Sequence, residues 1–211
     1  MDLDTIGQAA RRYLELKHAA RERALPKSRA AIRCCANSIR ASHRQDFATA
    51  TLLLQQAESL LAEMRADLGD HLDIYYAGFV EDAQKEFAEA TLTCAFMQCQ
   101  PLPLPETLHV EWAPYLNGLG EAVGELRRSI LDRMRQGSLD GCEAFLRAMD
   151  DVYLVLTTLD FPDAITGNLR RTTDVVRGIL EKTRGDLTVA VSQAQLAQTI
   201  ARLETHFSPG P

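Results

Sequence analysis

Pro114-Tyr115-Leu116-Asn117-Gly118-Leu119-Gly120-Glu121-Ala122-Val123-Gly124-Glu125-Leu126 repeats as a helix does, not with the alternation of a strand. At about 100° per residue, Leu119, Val123, Leu126 and Ile130 form one apolar line. Glu121 and Glu125 lie opposite that line, beside Asn117, Arg128 and Asp132. A spacing of four leaves the two carboxylates roughly 5–6 Å apart. Taken alone they also suit a solvated face. Gly118, Gly120 and Gly124 each cost a helix about 1 kcal/mol relative to alanine, so they are expected where another backbone or a ligand comes close.

A second acidic pair lies upstream, in Lys85-Glu86-Phe87-Ala88-Glu89-Ala90. On a helical wheel Glu86 shares a side with Leu72, Tyr75, Phe79, Ala90 and Met97, with Asp82 and Glu89 at its edge. Carboxylates within an apolar stripe are costly unless protonated, hydrogen-bonded or bound to a cation. If the two helices face each other, Glu86, Glu89, Glu121 and Glu125 converge as four hard oxygen donors, the setting a magnesium-like ion requires. Without a cation, carboxylates about 6 Å apart repel by roughly 2–3 kcal/mol per pair at an effective dielectric near 20.

The chain of 211 residues, 46% hydrophobic, is long enough for one sizeable core. No run of eighteen apolar residues offers a membrane span. The acidic start Met1-Asp2-Leu3-Asp4 reads as no secretory signal. Five cysteines without a CxxC pair suit reduced, buried thiols. A cytoplasmic protein is the expectation. The net charge of −6 divides unevenly: residues 1–45 carry +6 and the remainder −12. A basic front on an acidic body suggests a polyanion met by one surface.

That basic front is helical. Residues 3–23 read as one amphipathic helix, with Pro26 opening a second that runs to Arg44. On the second, Arg29, Arg33, Arg40, His43 and Arg44 fall within an arc of roughly 100°. No acidic residue occurs between Lys27 and Arg44, so the stripe reads as a phosphate track. A third helix is expected over 46–67 and a fourth over 70–97. Gln100-Pro101-Leu102-Pro103-Leu104-Pro105 is an extended crossing segment, because its spaced prolines exclude helix and central strand. Further helices follow, one ending near Gly137, one capped by Ser138 and reaching Leu159, and a last pattern broken at Gly185. The expectation is all-α: about seven helices in a single domain over 1–206, with a disordered tail at 207–211.

Several blocks together resemble the translin and translin-associated factor X (TRAX) family, in its prokaryotic translin-like form. They are Ala24-Leu25-Pro26-Lys27-Ser28-Arg29 with Ile32-Arg33 and Ile39-Arg40-Ala41-Ser42-His43-Arg44; Pro114 to Glu121 with Gly124-Glu125-Leu126-Arg127-Arg128; Phe161-Pro162-Asp163-Ala164; Leu169-Arg170-Arg171 with Asp174; and Thr183-Arg184-Gly185-Asp186. The resemblance implies a seven-helix bundle assembling into a barrel-like octamer that binds single-stranded RNA or DNA. Its nuclease members are magnesium-dependent endoribonucleases with acidic pairs three and four apart. Those pairs match Glu86 with Glu89 and Glu121 with Glu125, as ligands for Mg2+ or Mn2+ and as catalytic groups. Where the family often has aspartate in the second pair, Glu121 is one methylene longer.

Two readings differ from a nuclease. A non-catalytic translin-like oligomer would share the arginine track and bind single strands without cleaving them. A di-iron carboxylate bundle needs paired Glu-x-x-His motifs, and Glu15-x-x-His18 and Glu106-x-x-His109 have that spacing.

Overall fold

The computed structural model describes the backbone of residues 2–207 and the side chains of 2–204. The described residues contain nine helices and no strand. They are α1 (Leu3–His43), α2 (Phe47–Leu68), α3 (Leu72–Tyr75), α4 (Phe79–Met97), α5 (Pro105–Leu108), α6 (Trp112–Arg135), α7 (Cys142–Thr157), α8 (Asp163–Thr166) and α9 (Leu169–Phe207). Six are long and three are single turns, so the expected count of seven is corrected.

The differences have local causes. Pro26 lies inside α1 without breaking it. The proline removes the bond to the carbonyl of Glu22, and both residues face solvent, where water can satisfy that carbonyl. Gly185 does not interrupt α9, because Val176, Leu180, Thr183 and Leu187, all buried, hold one continuous face against the core. That burial outweighs a propensity cost of about 1 kcal/mol. The fourth helix, by contrast, is divided at Gly78, whose φ of +91° ends the preceding turn and starts α4. Helix α7 begins at Cys142 after left-handed Gly141, and Ser138 accepts instead from the amide of Asp140 at 3.2 Å. Helix α9 extends to Phe207, and residues 208–211 of the expected tail lie outside the described residues.

Helix α6 is the axis of the bundle. It packs on α4 along one side and on α7 and α9 along the other, while α1 lies across α2 and α4. Its apolar line is the predicted one: Leu119, Val123, Leu126 and Ile130 are all buried. Arg127 fastens α6 to α9, donating to Thr183 Oγ1 at 2.9 Å and to Asp186 Oδ2 at 2.8 Å. The proline segment crosses as an extended strap with one helical turn, held where the Tyr115 hydroxyl donates to the carbonyl of Pro103 at 2.8 Å. No helix of the described residues is long and apolar enough to cross a membrane.

Candidate functional site

The site forms where α4 and α6 approach most closely. A β-carbon at Gly118 would lie 2.6 Å from the carbonyl oxygen of Lys85 and 2.9 Å from the Cβ of Ala88. Only glycine permits that approach. On the other side of α6, a β-carbon at Gly120 would stand 2.4 Å from Thr172 Cγ2 of α9. Gly124 is different, with no atom of the described chain within 4 Å of the position, so no neighbouring helix requires that glycine.

This contact brings Glu86 and Glu89 of α4 to Glu121 of α6. One carboxylate oxygen from each lies within 4.8 Å of the others. At that separation two charged carboxylates repel by about 3 kcal/mol at an effective dielectric near 20. The two acids of α4 are pushed toward their protonated forms. The Glu89 carboxyl is pushed up to about 8, by burial first and then by the charges of Glu121, Glu86 and Glu125. Glu86 is raised as well, again chiefly by burial, with Lys85 pulling the other way. Beneath them the buried Cys35 thiol is driven far above its usual range by desolvation, reinforced by Glu86 and Glu89.

Lys85 was not singled out from the sequence, yet it is the cation nearest the three acids. Its Nζ donates to Glu121 Oε1 at 2.7 Å and stands 3.8 Å from Glu86 Oε1. Burial lowers its affinity for a proton, but the bond to Glu121 and the surrounding acids more than offset this, and its pKa is raised. An i, i+1 neighbour of Glu86 does not ordinarily share its face; the long lysine stem reaches around to the facing helix instead.

Glu125 takes another partner. It pairs with His43 Nε2 at the end of α1, and Arg128 approaches it at 3.7 Å. The other ring nitrogen of His43 faces the Ser129 hydroxyl at 3.4 Å. The His43 side chain is only 8% exposed. The structure therefore turns His43 inward to Glu125, while Arg29, Arg33, Arg40 and Arg44 face solvent. Arg40 donates to Asn37 at 2.8 Å; the other three make no ion pair among the described residues. Glu125 acts on Glu89 through its charge but is not one of the three clustered acids.

The donor set is oxygen alone, which fits a hard divalent cation. Glu86, Glu89 and Glu121 can coordinate such an ion, and Lys85 holds the position where positive charge is needed. No histidine joins them. Glu15 and Glu106 lie exposed in α1 and α5, so the di-iron arrangement finds no support among the described residues.

No protein-family model matches the chain. A Methanocaldococcus jannaschii protein described as uncharacterized is 30% identical over 201 residues, covering 93% of this chain and 87% of its own. AfC3PO, solved in complex with duplex RNA, matches with a TM-score of 0.81 at 30% identity, over 88% of this chain and 96% of that one. AfC3PO solved by itself gives 0.80 at 30% identity, over 88% and 97%. The apo form of NeC3PO gives 0.77 at 20% identity, over 90% and 97%, a likeness of fold. With these matches over nearly its whole length, the chain belongs to the translin–TRAX family that includes the archaeal C3PO proteins.

Proposed function

We propose that this protein is a divalent-metal-dependent endoribonuclease. The convergence of Glu86, Glu89 and Glu121 from two helices within 4.8 Å carries the reading. Mg2+ or Mn2+ is the proposed ion, held by those three carboxylates with Glu125 beside them. When bound there, such an ion supplies Lewis-acid polarisation of a phosphate and acidifies a coordinated water. The chain's own residues do the rest. On binding a cation Glu89 would release its proton to solvent, Lys85 would be free to turn from Glu121 toward a phosphate, and His43 holds the carboxylate of Glu125. The exposed arginines of α1 hold the RNA backbone, which gives affinity with little sequence preference.

The assembly we propose is a homo-oligomer, a barrel-like octamer as the family resemblance implies. It is supported by apolar side chains left in solvent toward the free ends of the two longest helices. Ile6, Tyr13 and Leu14 of α1 and Leu196, Ile200 and Leu203 of α9 are each at least 47% exposed. Such surfaces call for partners. We propose a cytoplasmic location, a reading that buried free thiols such as Cys35 and Cys94 support.

The test is cleavage of labelled RNA, single-stranded and duplex in parallel because AfC3PO was solved with duplex RNA. Wild type is expected to cut with Mg2+, stop with chelator and lose activity in Glu89→Gln. Full-rate cleavage by Glu89→Gln would end the proposal. Salt-sensitive binding with no cleavage under any metal would favour the non-catalytic oligomer instead.

A further inference from the structure

Beside the three acids a cleft of about 670 Å³ opens between α4, α6 and the start of α9. That volume falls in the range of small-ligand sites, roughly 300–1,000 Å³. Its α4 wall carries Lys85 and Glu89, its floor Glu121, and its far wall Arg171 and Val175. None of the α1 arginines lines it.

Arg171 and its neighbour behave differently. Arg170 is bound to Asp160 at 2.8 Å. Arg171 is exposed on the cleft wall, and its guanidinium has no ion pair among the described residues. The turn that carries it is tied to α6 through Asn117, which is buried and divides its amide among its own helix, α8 and α9. Asn117 Nδ2 donates at 2.9 Å to the carbonyls of Ala113 and of Thr166, and its Oδ1 accepts from Thr172 Oγ1 at 2.6 Å. Gly120 leaves just enough room for that contact. The turn of α9 bearing Arg171 is thereby locked to the turn of α6 bearing Glu121.

One cleft thus offers a cation-seeking wall and, opposite it, an uncommitted guanidinium on a fixed turn of α9, with Pro114 and Val175 as an apolar surface between polar groups. With a divalent cation held on the acidic wall, a ligand that satisfies both walls has two anionic groups separated by a flat, partly apolar body. A short stretch of RNA has that chemistry: consecutive phosphates with a base and ribose between them. We infer that this cleft seats the nucleotide next to the cleaved bond, and that Arg171 binds the phosphate one step away from the glutamates. The inference deepens the nuclease reading and rests on it for the position of the cleaved bond. Guanidinium suits the role because its planar fork meets two phosphate oxygens at once.

The experiment measures binding of a fluorescent 2′-O-methyl RNA tetranucleotide to the full-length protein with Mg2+ present, by anisotropy. Arg171→Ala is expected to weaken binding about tenfold, and Arg171→Lys to recover part of it. Arg170→Ala removes the same charge one residue away and is expected to leave binding within about twofold. Equal losses in Arg170→Ala and Arg171→Ala would show a general charge effect and overturn the assignment, as would wild-type binding by Arg171→Ala. Cleavage of long RNA is followed alongside. Arg171-dependent binding without cleavage by wild type would sink the nuclease reading and leave the cleft standing; cleavage with Arg171-independent binding would sink the cleft alone.

Discussion

Gly118 lies directly against the backbone of Glu89: a β-carbon there would stand 2.9 Å from the Glu89 amide nitrogen. The neighbours it would meet are backbone atoms and the Cβ of Ala88, none of which can swing aside. Helices α4 and α6 must separate to admit a methyl group, and Glu121, one turn further along α6, retreats from Glu86 and Glu89.

Gly118→Ala is therefore expected to cost about 1–3 kcal/mol of stability despite its better helix propensity. It should also weaken Mn2+ binding, because the three carboxylates no longer meet. Gly124→Ala is the contrasting case, with open space around the position. It should stabilise the protein by about 0.4–1 kcal/mol. Urea melts of both variants check the pair of signs, and a stabilised Gly118→Ala would refute the close-approach argument.

Lys85 occupies the carboxylates that the proposed divalent cation would need. The ammonium sits 2.7 Å from Glu121 and 3.8 Å from Glu86, and it must leave Glu121 when a metal arrives. Lys85→Met keeps the stem and deletes the charge. Metal-free protein should then be less stable, since the acids lose their nearest counter-charge. Mg2+ affinity should rise by roughly tenfold, the value of about 1.4 kcal/mol of relieved competition. Calorimetric titration measures it, and an unchanged or lower affinity would show that Lys85 does not occupy the metal's place.

The site was half legible in the sequence. A spacing of three on a helical segment was enough to bring Glu86 to one side with Glu89, because helical period survives in any fold; Glu121 was expected beside them only if the two helices faced each other. The partners that lie across the fold were not legible. Glu125 meets His43 from 82 positions away, a pairing that depends on how α1 crosses the bundle, about which periodicity is silent. His43 shares its stripe with four arginines on the wheel, but a wheel does not say where the neighbouring helix cuts across that stripe. Pro26 and Gly185 misled for a related reason. Both are local penalties, about 3 kcal/mol for the proline and about 1 for the glycine, and the burial of Ala24, Ser28, Thr183 and Leu187 around them overrides each. Gly78 carried no reading in the sequence, and there the backbone does turn, at a φ of +91°.

The exposed arginines of α1 should contribute additively and without sequence preference. Each of Arg29→Ala, Arg33→Ala, Arg40→Ala and Arg44→Ala is expected to reduce the slope of log affinity against log salt for single-stranded RNA by about 0.7. His43→Ala should leave that slope unchanged, since its ring is 8% exposed and engaged with Glu125. Anisotropy titrations of a long labelled RNA over a range of salt concentrations make the comparison. A slope lowered by His43→Ala as much as by Arg40→Ala would return His43 to the outer track.

Protonation of Glu89 ties stability and metal affinity to pH with opposite signs. Its carboxyl is raised from the ordinary 4.5 to about 8 in the folded chain. Between those values the folded protein keeps a proton that the unfolded chain has released, so rising pH favours unfolding of the metal-free form across this window. Glu86, also raised, adds to the same trend. A divalent cation must displace the proton on Glu89, so its affinity should climb with pH, by up to roughly tenfold per unit, and level off above about pH 8. Glu89→Gln removes that proton altogether. It should flatten both dependences, make the metal-free protein more stable at alkaline pH and weaken metal binding there. Urea melts without metal and Mg2+ calorimetry, both between about pH 5 and 9, read the two curves. Metal-free stability that rises through this window, in wild type but not in Glu89→Gln, would mean that the carboxylate is already paired with a cation of the protein's own. Lys85, not an exogenous metal, would then be the ion the acids were gathered to hold.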